Sequence, residues 1–249
     1  GENIYQKIRE ADKRGIFVPA KTSQAMPKDY LDAFKKQLQR FDKVLCITIT
    51  SKVSGCFNSA CQAREMLTEN EKERVFILDS LHGVASEALL VLKAIELIQE
   101  QREINEIISE LKNLIPKTHL YLLFQDPKWI EALGRITKSQ ANWIRRMKKL
   151  RLYPLMEFKN GIITKGGIVI AKGMAEALFK KTLKASEKER KSGKKIRIII
   201  NHCDNLEEAE KLKGMLKELG AEISFISLGP PLIGAGTGPG TLFLGWMPI

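Results

Sequence analysis

The sequence predicts an α/β protein with two lobes, and three observations lead to this fold class. Short runs rich in β-branched and aromatic residues alternate with longer helical patterns up to about residue 125, which is typical of parallel α/β construction. Near residue 150, two apolar runs flank Lys159-Asn160-Gly161, a hairpin signal that indicates antiparallel pairing. The chain has 249 residues, of which 44% are hydrophobic, and this suffices for one large domain or two ordinary ones. We therefore predict an N-terminal α/β lobe over residues 1–148 and a C-terminal mixed α/β lobe over residues 149–249.

In the N-terminal lobe, three predicted strands alternate with helices. Short apolar runs rich in Val, Ile, Leu and Phe predict strands at 43–50, 74–80 and 119–124. Helical spacing of apolar residues predicts helices at 54–67, 85–100 and about 104–115. We expect the three strands to share one mainly parallel sheet with helices on its faces.

The C-terminal lobe begins with the hairpin and continues as a second α/β unit. Its predicted elements after the hairpin are a helix at about 173–189, a strand at 195–202, a helix at about 206–219 and a strand at 222–228. We expect the hairpin and these strands to share a second, mixed sheet.

A glycine-rich stretch, "LGPPLIGAGTGPGTLFLGW" at 228–246, follows the last predicted strand. Bare backbone lets amide groups approach an anion closely, so such a run suggests a phosphate loop. The P-loop pattern requires Lys and Ser or Thr after its last glycine, but Thr241-Leu242 follows Gly240 here. Only nine residues remain after Gly240, too few for a dinucleotide-binding unit of about 30 residues. By spacing alone, the run is predicted to form a structural turn.

The chain is strongly basic, with a formal net charge of +12 that is densest at 143–151 and 180–195. Such stretches suit nucleic acid or another anionic partner, but no nucleic-acid reader motif accompanies them. We therefore favour solvated basic faces over a nucleic-acid partner. No apolar run approaches the 18 or so residues of a transmembrane helix.

The four cysteines indicate a reducing compartment. Cys46, Cys56, Cys61 and Cys203 form neither Cys-x-x-Cys pairs nor a zinc-like spacing with histidine. We expect reduced thiols in a cytoplasmic protein, without a metal or cofactor. The chain begins at Gly1 with neither an initiator Met nor a signal-peptide pattern, which predicts a trimmed or partial chain.

The turn "ITSKVSG" at 49–55 is the candidate binding element. A strand is predicted to end there and a helix to start, and the unpaired amides at a helix N-terminus suit a carboxylate or phosphate. Ser54 also has a structural interpretation, because its oxygen is in position to cap the Phe57 amide. Asp79, at a strand end, is interpreted as a turn residue rather than a general base.

Five segments, taken in chain order, are similar to motifs of one known family. They are "KTSQAMPKDYLDAF", "ITSKVSGCFNSA", "FILDS", "EALGRITKSQANWI" and "IGAGTGPGTLFLGW". In the family they correspond to a Thr-Ser-Gln-Pro-Ser loop, a Ser-Ser-x-x-Ser-Gly-Thr turn, an Asp-Ser strand end, a Gly-Gly-Arg-Ile-Ser segment and a Gly-Ala-His-Thr-Gly-Pro-Gly terminus. The sequence thus resembles DegV, the bacterial fatty-acid-binding proteins, across nearly the whole chain.

The resemblance implies a carrier rather than an enzyme. DegV proteins bury one long-chain fatty acid in a cleft between two lobes, with its carboxylate near the surface. Some members present that carboxylate to a separate acyl kinase of the dihydroxyacetone-kinase type, and some are fused to a kinase-like domain.

The resemblance also implies which residues would bind the ligand. In the N-terminal lobe these are Thr22, Ser23, Ser51, Ser54, Gly55 and Arg135, and in the C-terminal lobe they are Lys172, Gly236, Thr237 and Gly238. Arg135 has an alternative role as a structural ion-pair partner between the lobes.

Several departures from the family pattern fall at the proposed head-group site. Gly236 stands where the family has a histidine, and Lys172 stands for an arginine whose planar fork suits a carboxylate. Glu87 replaces a small residue, and the family's first strand is missing before Ile4. Either the ligand differs from a simple fatty acid or its binding is weakened.

Three functions therefore remain open at the level of sequence. The first is an acyl carrier. The second is an interaction or regulatory domain of a larger chain that has weakened or altered ligand binding. The third is an enzyme or a nucleic-acid binder.

Overall fold

The computed structural model describes residues 4–16, 22–134 and 136–249 of the chain. Its helices are α1 (Ile4–Lys13), α2 (Pro27–Leu38), α3 (Cys56–Glu65), α4 (Glu69–Lys72), α5 (Val84–Gln99), α6 (Ile104–Leu114), α7 (Lys128–Ala132), α8 (Lys138–Lys149), α9 (Met174–Ala185), α10 (Glu187–Lys191), α11 (Leu206–Glu218) and α12 (Pro231–Thr237). Its strands are β1 (Val44–Thr48), β2 (Val75–Asp79), β3 (His119–Leu123), β4 (Leu152–Lys159), β5 (Ile162–Ile170), β6 (Ile196–His202), β7 (Glu222–Leu228) and β8 (Leu242–Pro248).

The chain divides into two units, each built from discontinuous stretches of sequence. The six-stranded unit takes its described residues from Gly1–Thr22, His119–Glu157 and Thr164–Ile249, and the two-stranded unit from Ser23–Thr118 and Phe158–Ile163. The predicted bounds of 1–148 and 149–249 are therefore wrong. The elements β3, α7 and α8 belong with the C-terminal strands, and the tip of the β4–β5 hairpin belongs with the two-stranded unit.

The six-stranded unit contains one mixed sheet in the order β5-β4-β3-β8-β6-β7. Strand β3 runs antiparallel to β4 and to β8, and β6 runs antiparallel to β8 but parallel to β7. The prediction of a second, mixed sheet is confirmed. The prediction that 119–124 pairs with the first two strands is wrong, because β3 lies in this sheet instead.

Strand β8 explains why β3 was predicted to lie in the wrong sheet. Its residues are all buried, and it lies between β3 and β6, with Leu244 opposite Tyr121 on one side and Ile200 on the other. One face of the sheet packs against α9 and α11, where Leu178 and Leu212 are fully buried. A continuous apolar strand is typical of the middle of a sheet, where both faces are covered.

The two-stranded unit is built around β1 and β2, which pair in parallel with Cys46 opposite Ile77. Helices α2 and α3 pack on one face through Phe34 and Ala60. Helices α5 and α6 pack on the other face through Leu90 and other buried side chains. The predicted parallel pairing of the first two strands is confirmed.

The predicted hairpin is also confirmed, with β4 and β5 joined by Asn160 and Gly161. Both turn residues have positive φ, 52° and 83°, as a two-residue type I′ turn requires. The buried Thr50 hydroxyl donates to the Gly161 carbonyl at 3.0 Å, and this bond holds the hairpin tip within the two-stranded unit.

The glycine-rich stretch is not one long turn, because its first half forms α12 and its second half enters β8. Each of its four alternating glycines allows a close approach by a protein neighbour. An added Cβ would meet Tyr5 at Gly234, Leu133 at Gly236, Trp129 at Gly238 and Gln125 at Gly240. Packing inside the six-stranded unit therefore accounts for these glycines without any ligand.

The net charge is confined to one unit. The two-stranded unit contains 14 Lys or Arg and 14 Asp or Glu, whereas the six-stranded unit contains 27 and 15. Part of the excess is structural. On α8, Lys148 donates to the Gln125 carbonyl at 2.6 Å and Arg145 donates to Asp126 at 3.3 Å.

Candidate functional site

The candidate site is the turn between β1 and α3 in the two-stranded unit. The Thr50 amide donates to the His82 carbonyl at 2.8 Å, which ties this turn to the segment before α5. The amides of Val53 and Ser54 both donate back to the Thr50 carbonyl at 3.3 and 3.2 Å. The chain therefore turns tightly before α3 begins. The amides in the first turn of α3 have no carbonyl partner within the helix, and they point toward this turn.

Asp79 fixes the geometry of this turn. Its carboxylate accepts the Ser51 amide at 3.1 Å and the Leu81 amide at 3.0 Å, so it joins the carboxyl ends of β1 and β2. Leu81 has a positive φ of 52°, a conformation that this hydrogen bond helps to hold. Asp79 thus acts as a turn residue, as its position at a strand end predicts.

Ser54 binds the start of α3, but not as predicted. Its hydroxyl accepts the Cys56 amide at 3.3 Å, and Gly55 occupies the N-cap position. The predicted cap on the Phe57 amide is therefore wrong, because the helix begins two residues after Ser54.

The loop before α2 lies against the same helix terminus. The Gln24 side chain donates to the Ser59 hydroxyl at 3.0 Å and covers Gly55, where an added Cβ would overlap the Gln24 amide. A side chain at position 55 would therefore displace the end of the Gln24 side chain from this helix terminus. Ser23, the neighbour of Gln24 in the chain, is exposed beside it.

Cys56 shows that this helix terminus favours negative charge. Burial alone would raise the pKa of the Cys56 thiol, but hydrogen bonds with the Ser54 hydroxyl, the Ala25 backbone and the Tyr30 hydroxyl outweigh burial and lower the pKa. Donors from three segments thus point at one position. A carboxylate placed there would meet the same stabilising groups.

None of the other predicted site residues is among the described residues of the two-stranded unit. Thr22, Lys172, Gly236, Thr237 and Gly238 fall in the six-stranded unit, and Arg135 lies outside the described residues. The Thr237 hydroxyl donates to the Ile233 carbonyl at 2.8 Å within α12. Lys172 is exposed, and its amide donates to Glu176 at 2.8 Å.

Sequence reasoning missed Gln24, Tyr30 and Cys56 as members of this cluster. Gln24 and Tyr30 both stand inside the motif "KTSQAMPKDYLDAF", which carries part of the family resemblance. Nothing in their spacing shows that they face α3, because the contacts join segments about 30 residues apart in the chain.

His82 is a buried group beside the turn. Its Nε2–H donates to the Ile115 carbonyl at 2.9 Å, and in the described structure its Nδ1 is buried without a hydrogen-bond partner. Burial lowers the pKa of His82, and the bond to Ile115 opposes that shift only in part. The neutral imidazole is therefore the form that fits the fold.

We expect acid to destabilise the protein partly through His82. The unfolded chain binds a proton near pH 6.5, whereas folded His82 resists protonation, so stability should fall as pH drops below about 6.5 toward the lowered pKa. Urea unfolding at pH 7.5 and 5.0 measures this effect. His82→Gln keeps a donor for the Ile115 carbonyl and should show a smaller loss, and an equal loss in both proteins would contradict the prediction.

Comparison with known proteins identifies the family. The model of the family described as "Uncharacterised protein, DegV family" matches residues 2–248. The chain belongs to the DegV family. A DegV domain-containing protein of Clostridium acetobutylicum is 35% identical over 159 residues, which cover 64% of this chain and about half, 54%, of that protein.

Solved DegV structures share the fold. A fatty acid (stearic acid)-binding protein from Eubacterium ventriosum matches with a TM-score of 0.83 at 21% identity, covering all of this chain and 84% of that one. The Streptococcus pneumoniae fatty acid kinase B3 protein, loaded with linoleic acid, matches with a TM-score of 0.77 at 21% identity, covering 98% and 83%. These likenesses show the mixed α/β fold with flanking helices.

Residues 4–16, 22–134 and 136–249 contain neither a membrane-spanning helix nor a cluster of metal ligands. No helix in those ranges combines the length and the apolar character that crossing a lipid bilayer requires. The His, Cys, Asp and Glu side chains there form no group of three that could hold a metal ion.

Proposed function

We propose that this DegV protein is a carrier for a long-chain fatty acid, with the ligand carboxylate at the N-terminus of α3. The convergence of donors at Cys56 is the observation that carries the proposal, because it marks a position built to stabilise negative charge. The named ligands of its structural neighbours, stearic acid and linoleic acid, support the same ligand class.

Ser51, Ser54 and Gly55 are the groups proposed to meet the carboxylate from this turn, through the two serine hydroxyls and the Gly55 amide. Thr22 and Ser23 are proposed to lie by the same head group. From the six-stranded unit, the family pattern adds Arg135, Lys172, Gly236, Thr237 and Gly238 as proposed contacts.

We further propose that catalysis lies outside this chain. A carboxylate that is held only by non-covalent contacts can still accept an incoming phosphoryl group, as a carrier of acyl groups for a dihydroxyacetone-kinase-like acyl kinase requires. The neighbour that is named as a fatty acid kinase B3 protein supports this role. A pull-down with such a kinase and an assay of phosphate transfer to the bound acid test it.

The binding proposal is tested by extracting lipid from the purified protein and by titrating a fluorescent fatty acid. Native mass spectrometry of the purified protein should show the mass of one bound acyl chain. A protein with no lipid and no affinity for fatty acid would refute the proposal and favour an interaction or regulatory domain.

Ser54→Ala tests the role of the turn. It removes an acceptor from the Cys56 amide and a proposed ligand contact, so we expect a stability loss of about 1 kcal/mol and roughly tenfold weaker fatty-acid binding. Thr68→Ala is the matched control, because the Thr68 hydroxyl caps α4 by accepting the Glu71 amide. It should lose similar stability and keep full affinity. Unchanged affinity in Ser54→Ala would assign Ser54 a structural role only.

A further inference from the structure

The tip of the β4–β5 hairpin carries an Asn-Gly pair at the surface of the protein. Asn160 is exposed, and no hydrogen bond engages its side-chain amide within the described residues. Gly161 is buried and has a φ of 83°, a conformation that favours glycine. The Asn160 side chain is therefore free to rotate, and no Cβ shields the backbone nitrogen that follows it.

The buried side of this tip lies on the candidate turn, within the two-stranded unit. Thr50 is fully buried, and its hydroxyl donates to the Gly161 carbonyl at 3.0 Å. An added Cβ at Gly161 would lie 2.5 Å from that hydroxyl oxygen and 3.0 Å from the Lys52 Cγ atom. The Thr50 carbonyl in turn accepts the amides of Val53 and Ser54. The tip thus contacts the segment that is proposed to hold the ligand carboxylate.

An asparagine before a glycine reacts with its own backbone in water, and asparagine is accordingly a thermolabile residue. The Gly161 backbone nitrogen gives its proton to solvent and attacks the Asn160 Cγ atom. A C–N bond forms, and the side-chain nitrogen leaves as ammonia. Water then opens the resulting succinimide ring at either carbonyl, which gives aspartate or isoaspartate. The net reaction converts one amide and one water into one carboxylic acid and one ammonia.

We propose that Asn160 is a site of spontaneous covalent modification, and that its conversion to isoaspartate weakens the ligand-binding turn through Thr50. Isoaspartate adds one methylene group to the backbone, and a two-residue type I′ turn cannot accommodate it. The Gly161 carbonyl then moves away, and the buried Thr50 hydroxyl loses its acceptor. The effect on ligand affinity rests on the proposed fatty-acid site, whereas the modification itself does not.

The bond from Thr50 to Gly161 also controls the rate of the reaction. Attack on the Asn160 Cγ atom requires rotation of the backbone between Asn160 and Gly161, and the Thr50 bond opposes this rotation. The tip must therefore leave Thr50 before the ring closes. Thr50→Val lacks the hydroxyl, so its Asn160 should be converted faster than that of the unaltered protein.

The experiment is incubation of the purified protein at 37 °C and pH 8.0, followed by mass spectrometry of its peptides. The peptide that contains Asn160 should gain the mass that replacement of –NH₂ by –OH produces, and isoaspartate should be the main product. A synthetic peptide of residues 158–163 is the positive control. Three exposed asparagines that precede residues with side chains are the internal controls and should stay unmodified: Asn70, Asn105 and Asn142.

Fatty-acid titrations before and after incubation measure the consequence for binding. The incubated protein should bind a fluorescent fatty acid about two- to twelvefold more weakly, the loss expected for one hydrogen bond. Asn160→Gln forms a larger ring much more slowly, so it should keep both its mass and its affinity. Fresh Asn160→Asp carries the charge without the extra methylene, and its affinity should match that of the fresh unaltered protein within about twofold because position 160 is exposed. Thermal melts confirm that each variant is folded.

The outcomes distinguish this inference from the proposed function. Conversion of the synthetic peptide without conversion of the folded protein would overturn the inference, because the fold would then protect Asn160. Full fatty-acid affinity after conversion to isoaspartate, or equal rates in Thr50→Val and the unaltered protein, would overturn the role of Thr50. A fresh protein without affinity for fatty acid would refute the proposed function, and the mass of the Asn160 peptide would still decide whether the modification occurs.

Discussion

Gly238→Ala is expected to destabilise the protein by about 3 kcal/mol or more. Gly238 follows α12 with φ 86° and ψ 156°, a backbone conformation that is nearly restricted to glycine. An added Cβ would also overlap the indole ring of Trp129, which is 7% exposed and has little room to move. Both costs act on the same substitution. Urea unfolding of the purified variant, with the free energy extrapolated to water, measures the loss.

Two other glycines serve as matched controls for this prediction. Gly193 has a similar φ of 82° but no atom within 4 Å of an added Cβ, so Gly193→Ala should lose only about 1 kcal/mol. Gly214 lies inside α11 in open space, and Gly214→Ala should gain about 0.5–1 kcal/mol. If Gly238→Ala were no worse than Gly193→Ala, contact with Trp129 would contribute nothing to the need for glycine.

Gly236→His is expected to bind a long-chain fatty acid roughly 10- to 100-fold more tightly than the unaltered protein. The family pattern has a histidine at this position, and a hydrogen bond to a carboxylate contributes about 1.5–3 kcal/mol. Gly236 lies in α12 and does not have a positive φ, so the backbone accepts a side chain. The closest obstacle is the Leu133 Cδ1 atom, 2.9 Å from an added Cβ, and this flexible chain end can move.

Gly236→Ala is the control for that substitution, because it makes the same contact with Leu133 but has no imidazole. It should fold with slightly lower stability and bind fatty acid no better than the unaltered protein. Fluorescent fatty-acid titrations of the three proteins, with thermal melts, decide the matter. A folded Gly236→His without any gain in affinity would show that this chain does not hold its ligand in the family's manner.

Local chemistry predicted part of the fold well. The Asn160-Gly161 turn is recognisable because few residues accept positive φ at two successive positions, and the observed values of 52° and 83° confirm it. The parallel pairing of β1 with β2 follows from buried apolar runs separated by a helix.

The sequence could not show which sheet takes β3, because this depends on β8. "LFLGWMP" is a short apolar run next to a glycine-rich segment, and periodicity does not distinguish a buried strand of this kind from a turn or a short helix. The family resemblance also presented that region as a terminal loop. The error in the position of one strand then moved the predicted boundary between the units.

The candidate site was predictable only where it lies within one short segment. Ser51, Ser54 and Gly55 occupy one strand-to-helix turn, and chain order alone brings them together. The contacts of Gln24 with Ser59 and of Tyr30 with Cys56 depend on the packing of α2 against α3. Such long-range contacts require the folded chain.

The central position of β8 has a consequence for synthesis on the ribosome. The strand is made after every other strand of its sheet, yet it pairs with both β3 and β6. Until β8 leaves the exit tunnel, each of these two strands lacks its β8 partner along one edge, and unpaired edges favour aggregation. The two-stranded unit takes its sheet and most of its helices from residues made much earlier. A stalled or prematurely terminated nascent chain would therefore carry both strands of one sheet but an incomplete second sheet, whose unpaired edges make it a substrate for chaperones.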